Sequence, residues 1–222
     1  LTNGSQIATL LTRESSALNL PGGFGKAGNI NINISDFVNI SGVSQVQLPI
    51  EPRLFPTEGF SSGLLASSER GASGDGGRIT LTTNALYLAD GAVINTLSAN
   101  FGKAGDITIN ANTFSATGGG QVIAITKNSG NAGTITLNIQ DNLLLSGSDP
   151  TFTERLARFG EDIVNNQGAE SGLFAQTQDQ GIAGSININA PVFNIADSAV
   201  VSARTSGSGK GGNIIVNAPI LT

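Results

Sequence analysis

A tetrapeptide of the form G-x-[AG]-G recurs six times along the chain, and its spacing restricts the fold more than any other feature. The copies are Gly25-Lys26-Ala27-Gly28, Gly74-Asp75-Gly76-Gly77, Gly102-Lys103-Ala104-Gly105, Gly130-Asn131-Ala132-Gly133, Gly181-Ile182-Ala183-Gly184 and Gly209-Lys210-Gly211-Gly212. Their starts are separated by 49, 28, 28, 51 and 28 residues. Three intervals equal 28, and the other two exceed it by 21 and 23. A fixed period of this size signals a stack of like units, because one such unit cannot bury its own apolar face.

With the first Gly as position 1, position 6 is Ile30, Ile79, Ile107, Ile135, Ile186 and Ile214. Position 8 is Ile32, Leu81, Ile109, Leu137, Ile188 and Val216, and the residues between and after are mainly Asn or Thr. That is strand alternation, with the apolar side chains facing in and the polar ones facing out. A second strand is expected near positions 13 to 15, at Leu86 and Leu88, Phe114 and Ala116, and Phe193 and Ile195. A third spans positions 19 to 25, with Ile94 and Thr96, Val122 and Ala124, and Val201 and Ala203. Asp90-Gly91, Gly118-Gly119 and Asp197-Ser198 mark the corners. Three short strands per repeat predict an all-β chain: a right-handed parallel β-helix of triangular section, with about six coils of about 28 residues. Residues 1–222 then form a single β-helix segment, its core ladder being the position 6 isoleucines. Strands of successive coils would pair in parallel at ~4.8 Å, giving a rod ~30 Å long.

Composition agrees and removes whole classes of chemistry. Gly supplies 30 residues, charged residues 12% and aromatics 5%, which suits short strands and turns better than helices. Disorder is the competing reading of so Gly-rich a chain, but disorder would not keep Ile at position 6 in six copies. An antiparallel sandwich fits the strand spacing less well than the fixed period does. Cys, Met, Trp and His are absent, so there is no imidazole base, thiol nucleophile, zinc site or disulfide. A net charge of -5 argues against nucleic acid as a partner, and no apolar run reaches the ~20 residues of a membrane helix. No cofactor or metal is expected. The stretch from Gly71 to Gly77 holds one copy of a Gly/Asp turn where calcium-binding repeats need many in tandem.

Gly102-Lys103-Ala104-Gly105-Asp106-Ile107-Thr108-Ile109-Asn110-Ala111 and Gly181-Ile182-Ala183-Gly184-Ser185-Ile186-Asn187-Ile188-Asn189-Ala190 resemble repeats of filamentous-haemagglutinin-type exoproteins. These are large surface proteins of bacterial two-partner secretion. The resemblance implies a secreted protein on the exterior of the bacterial outer membrane, exported unfolded and folded outside. It also implies a role in adhesion, aggregation or surface coating, as an adhesin. The family's amino-terminal secretion domain is not in this chain, and the repeat is longer than in the best-known adhesins. The resemblance supplies no catalytic residue.

Gly4 to Thr9 aligns with Gly91 to Thr96, which puts Leu1 at position 15, while Thr222 falls at position 14. The expectation is one unit of a continuing rod, through head-to-tail self-association in a filament or covalent continuation of the solenoid. With neither an initiator Met nor a signal peptide, Leu1 is expected to be a boundary left by processing or expression.

Specificity on such a rod is expected in insertions that leave it, at about 11–23, 48–60 and 149–169. The second is Pro-rich and should run extended. In the third, Phe152, Leu156, Phe159 and Ile163 recur at helical spacing, with Thr151 or Asp149 as cap and Glu154 in the first turn. The helix either covers an apolar side of the rod or joins the second insertion in a partner-binding surface. Leu48, Pro52, Arg53, Phe55, Phe60, Phe152, Arg155, Arg158 and Phe159 are the candidates for contacting a surface glycan or protein ligand. A polysaccharide-active enzyme is the remaining class, and it needs two carboxyls on adjacent coils. Asp75 instead stacks beside Lys103 and Arg78 beside Asp106, so no enzyme and no catalytic residue is expected.

Overall fold

Identical side chains at one position of every repeat stack most easily when the repeats lie in register. In a computed structural model of the chain, which describes residues 1–12, 22–44, 59–69, 71–160 and 164–222, they do. Ile30 pairs with Ile79, Ile79 with Ile107, Ile107 with Ile135, Ile135 with Ile186 and Ile186 with Ile214, always in parallel. The long intervals, Ile30 to Ile79 and Ile135 to Ile186, each count as one strand step. The described residues form 17 strands and one helix. The chain is all-β with long parallel sheets, an arrangement compatible with a parallel β-helix.

A nine-stranded sheet carries the position 6 column, and a six-stranded sheet runs Gln6–Leu11, Gly63–Ser68, Val93–Ser98, Gln121–Thr126, Gly172–Thr177 and Val200–Ser202. The principal core lies between them. Ile79, Leu81, Ile107, Ile109 and Phe114 come from the first sheet, and Leu64, Ile94, Val122 and Leu173 from the second. The second sheet also supplies a column of small residues, Thr96, Ala124 and Ala175, which leaves room for the large side chains opposite. The buried Thr96 hydroxyl donates to the Gly105 carbonyl at 2.6 Å, so the column stays satisfied.

The first and second strands of the expected triangle are not separate in the middle repeats. Ile79–Ala89, Ile107–Thr117 and Ile135–Ser146 each run through both positions as one strand. Nothing at Thr83-Asn84 or Ala111-Asn112 interrupts an extended backbone. In the last two repeats Pro191 and Pro219 do interrupt it, and the strands divide there into Ile186–Asn189 with Val192–Ala196, and Ile214–Asn217 with Ile220–Leu221. Proline has no N–H to give the ladder.

The tetrapeptide has a steric cause. A Cβ on Gly133 would lie 1.9 Å from the Gly105 carbonyl oxygen, and one on Gly130 would lie 1.9 Å from that of Gly102. The first and fourth positions of neighbouring repeats therefore touch backbone to backbone, which only glycine allows. At the third position of the last copy the nearest atom to a Cβ on Gly211 is 3.7 Å away, and Ala occupies that position in four copies.

The corners use left-handed backbone. Asp90 and Gly91 have φ of 54° and 75°, and Asp197 and Ser198 have 49° and 68°. Gly42 and Gly147 take the same corner with φ of 79° and 76°, and there the chain leaves the stack. Antiparallel bridges, Val43 with Ser61 and Ser148 with Glu170, close the necks of these two insertions. Residues 13–21, 45–58, 70 and 161–163 lie outside the described residues, which removes Leu48, Pro52, Arg53, Phe55 and Ile163 from the structural account.

Candidate functional site

The four inner strands of the six-stranded sheet are largely buried on both faces. Gln121–Thr126 reads Gln-Val-Ile-Ala-Ile-Thr, and all six of its residues are buried. Val122 and Ala124 face the core, so Ile123 and Ile125 face outward and need a second cover. Leu65, Val93, Ile123, Ile125 and Phe174 form that outer cluster. Phe152, Leu156 and Val164 of the 149–169 insertion line a cleft with Leu97 and Ile125 on that face.

The helix of the insertion is Phe152–Phe159, with Thr151 at its N-cap and Glu154 in its first turn. Asp149 accepts hydrogen bonds from the Thr151 backbone N–H at 2.8 Å and its hydroxyl at 2.7 Å. Phe152, Leu156 and Phe159 are half-buried along one side. Arg155 is buried, and its guanidinium forms an ion pair with buried Asp149. It also donates to the Gly59 carbonyl and to Asn166 Oδ1, each at 3.4 Å. Arg155 stands on the apolar side of the helix, between Phe152 and Phe159 in the same spacing. That spacing was the sequence signal for its burial. Arg158, by contrast, is exposed and lies 4.9 Å over the Phe159 ring.

Asn166 is the residue that periodicity did not find. It is buried, donates to the Gly91 carbonyl at 3.1 Å, and accepts from the Ser61 hydroxyl at 2.9 Å. Gln121, also buried, donates to the Gly168 and Glu170 carbonyls at 3.0 and 2.7 Å and accepts from the Gln167 N–H at 2.8 Å. Gly59 packs so closely on Phe159 that a Cβ there would meet the ring at 2.4 Å. The described end of the second insertion, Gly59 to Ser61, thus meets the third. Phe60 holds the neck of the second, its N–H donating to Ser44 Oγ at 3.0 Å.

Between the helix and the outer face of the sheet lies a cleft of ≈ 240 Å³. Asn95, Leu97, Ile125 and Lys127 line it from the sheet, and Phe152, Leu156 and residues 164–168 from the insertion. Outside the cleft, Arg78 lies 3.3 Å from Asp106, and Asp75 accepts a hydrogen bond from the Lys103 backbone N–H at 2.8 Å. Asp197 takes the Ser146 hydroxyl at 2.7 Å. Among the described residues no group of three or more acidic side chains is placed to hold a metal ion, and no helix is long and apolar enough to cross a membrane. Compared with family models, curated proteins and solved structures, the chain matches none.

Proposed function

We propose that this chain is a structural and adhesive segment of a secreted bacterial surface rod, a right-handed triangular β-helix of about six coils of the filamentous-haemagglutinin type. One observation carries the reading: columns that are closed in the middle of the stack are open in the last repeat of the nine-stranded sheet and in the first strand of the six-stranded sheet. Ile186 is 0% exposed and its column partner Ile214 is 46% exposed. Leu64 is 0% exposed and its partner Ile7 is 45% exposed, while Phe193 at 2% pairs with Leu221 at 58%. Such edges combine apolar side chains with unpaired backbone groups, which a further strand covers best.

The occupant that fits is another copy of the same repeats. Leu221 shares the column of Phe193, which leads through the paired strands to Val38, and Thr2 pairs with Ser41. Strands of a second copy would continue these columns. Asn33 would stack on Asn217. The outward Asn ladder, in which Asn138, Asn189 and Asn217 each donate to the preceding Asn at 2.9, 3.0 and 2.8 Å, would continue across the junction. Because each copy would continue the stack along its own axis, such contacts build open filaments and not closed rings.

Electron microscopy and sedimentation of the chain at rising concentration test this. Rods lengthening in steps of roughly 30 Å support it, as does their loss in Val216→Lys, which puts a charge into the open column. A particle that stays a monomer at all concentrations overturns it.

A further inference from the structure

Phe24 and Phe101 are 80% and 76% exposed, the most open large apolar side chains among the described residues. Both precede the first Gly of their repeats, a position that is Ser73, Ser129, Gln180 and Ser208 in the other copies. Phe24 pairs with Ser73, Gly25 with Gly74 and Lys26 with Asp75, in parallel. The next repeat follows in the same register. A Cβ on Gly102 would lie 2.0 Å from the Gly74 carbonyl oxygen, and the Gly76 N–H donates to the Lys103 carbonyl at 2.8 Å. Phe24 and Phe101 therefore belong to one exposed column, two strand steps or ~9.6 Å apart, with the exposed Ser73 between them. Each is followed two residues on by an exposed lysine, Lys26 or Lys103. Single exposed apolar side chains are ordinary, but two rings held in register with a hydroxyl between them form a spaced array.

We propose that this column binds a 1,4-β-linked glucan lying along the axis of the stack. In the extended form of that polymer each ring is turned over relative to the one before it. Alternate rings therefore present the same face, at a spacing of two ring lengths. The ~9.6 Å between Phe24 and Phe101 matches that spacing, so the phenylalanines take alternate rings. β-Glucose carries its hydroxyls equatorially, and the C–H face this leaves is flat, apolar and suited to stacking on an aromatic side chain. Ser73 meets the ring between them with a hydroxyl that both donates and accepts. Lys26 and Lys103 donate to hydroxyls at the edge of the chain, and Asp75 accepts from them. The two lysine charges alternate with the Asp75 carboxylate along the column, which favours a neutral chain over a polyanion. The inference rests on these exposed side chains and is independent of end-to-end stacking.

Isothermal titration of the whole chain with cellohexaose, cellobiose and maltohexaose tests this. Saturable binding of cellohexaose is expected. Cellobiose covers one phenylalanine only and should bind at least about tenfold more weakly. Maltohexaose, whose α-linkage curves the chain away from a straight column, should also bind at least about tenfold more weakly. Phe24→Ala and Phe101→Ala should each weaken cellohexaose binding about tenfold. The thermal midpoint should stay unchanged in both, since neither ring is packed into the fold. No saturable binding of cellohexaose, equal affinity for cellobiose or maltohexaose, or unchanged affinity in either variant would each overturn the proposal. Rods that join side by side through these rings and come apart in the double alanine variant, without binding cellohexaose, would do the same.

Discussion

Ser61 and Asn166 stand 105 residues apart in the chain, yet the Ser61 hydroxyl donates a 2.9 Å hydrogen bond to Asn166 Oδ1 in the interior. This bond joins the necks of two insertions that leave the stack at equivalent corners, Gly42 and Gly147. The contact is possible because parallel stacking brings distant repeats within a few strand spacings of each other. The same region holds Arg155, Asp149 and the cleft, so the insertions share one polar interior.

The Asp149–Arg155 pair is predicted to matter most when half of it is removed. Arg155→Ala leaves a buried carboxylate without its partner and should destabilise the fold by about 3–5 kcal/mol. The double replacement Asp149→Leu with Arg155→Met should recover most of that loss, because well-packed apolar pairs often replace buried ion pairs at little cost. Denaturant unfolding of the two single variants and the double variant measures it. Additive losses would show that the two side chains do not act as a pair.

The isoleucine column gives a second prediction that depends on position. Ile135 is 0% exposed, and Ile135→Ala should cost about 2–5 kcal/mol. Ile214 is 46% exposed, and Ile214→Ala in dilute protein should cost less than about 1 kcal/mol. At concentrations where rods form, the cost of Ile214→Ala should rise, because stacking buries that side chain. Unfolding midpoints at low and high protein concentration distinguish the two regimes.

Two glycines of one motif should behave oppositely. Gly133→Ala forces a Cβ against the Gly105 carbonyl, 1.9 Å away, and should separate the stacked repeats or prevent folding. Gly211→Ala meets nothing nearer than 3.7 Å and should be neutral or stabilising by up to about 1 kcal/mol. Thermal unfolding of both variants is sufficient. A tolerated Gly133→Ala would mean that the repeats stand further apart than described.

At the corner, Ser198 takes a φ of 68° with a side chain, which costs an L-residue roughly 1–2 kcal/mol that glycine avoids. Ser198→Gly should raise stability by up to about 1 kcal/mol after the greater flexibility of glycine in the unfolded chain is counted. Ser198→Val should lower it, since a branched side chain is least tolerant of that backbone.

The sequence carried the stack in the Ile column and in the glycine spacing, because both are repeated and each repeat is independent testimony to one register. It carried the helix, in the spacing of Phe152, Leu156 and Phe159, and the same spacing placed Arg155 among them. The outer apolar face was also written there, in Gln121–Thr126, where alternation fails because both faces are buried. Asn166 and Ser61 were not legible. Each is a polar residue beside a turn, with no period behind it, and its partner is fixed only when distant repeats stack. The merging of two strands into Ile79–Ala89 was likewise hidden, since an uninterrupted bend leaves no proline or glycine to mark it.

The central claim is that residues one repeat apart, including those separated by an insertion, are adjacent strand neighbours. Native cysteines are absent, so a spin label can be placed at any chosen pair of positions. Asn31 and Ile215 belong to one outward column, joined through Thr80, Thr108, Thr136 and Asn187. Five strand steps separate them, so labels at these two positions should lie ~24 Å apart, and labels at Thr80 and Ile215 ~19 Å apart, before allowance for the tethers. Narrow distributions shortening by one strand spacing between the two pairs are the expected result. Broad distributions, or a Thr80–Ile215 distance equal to or longer than that of Asn31–Ile215, would contradict the account.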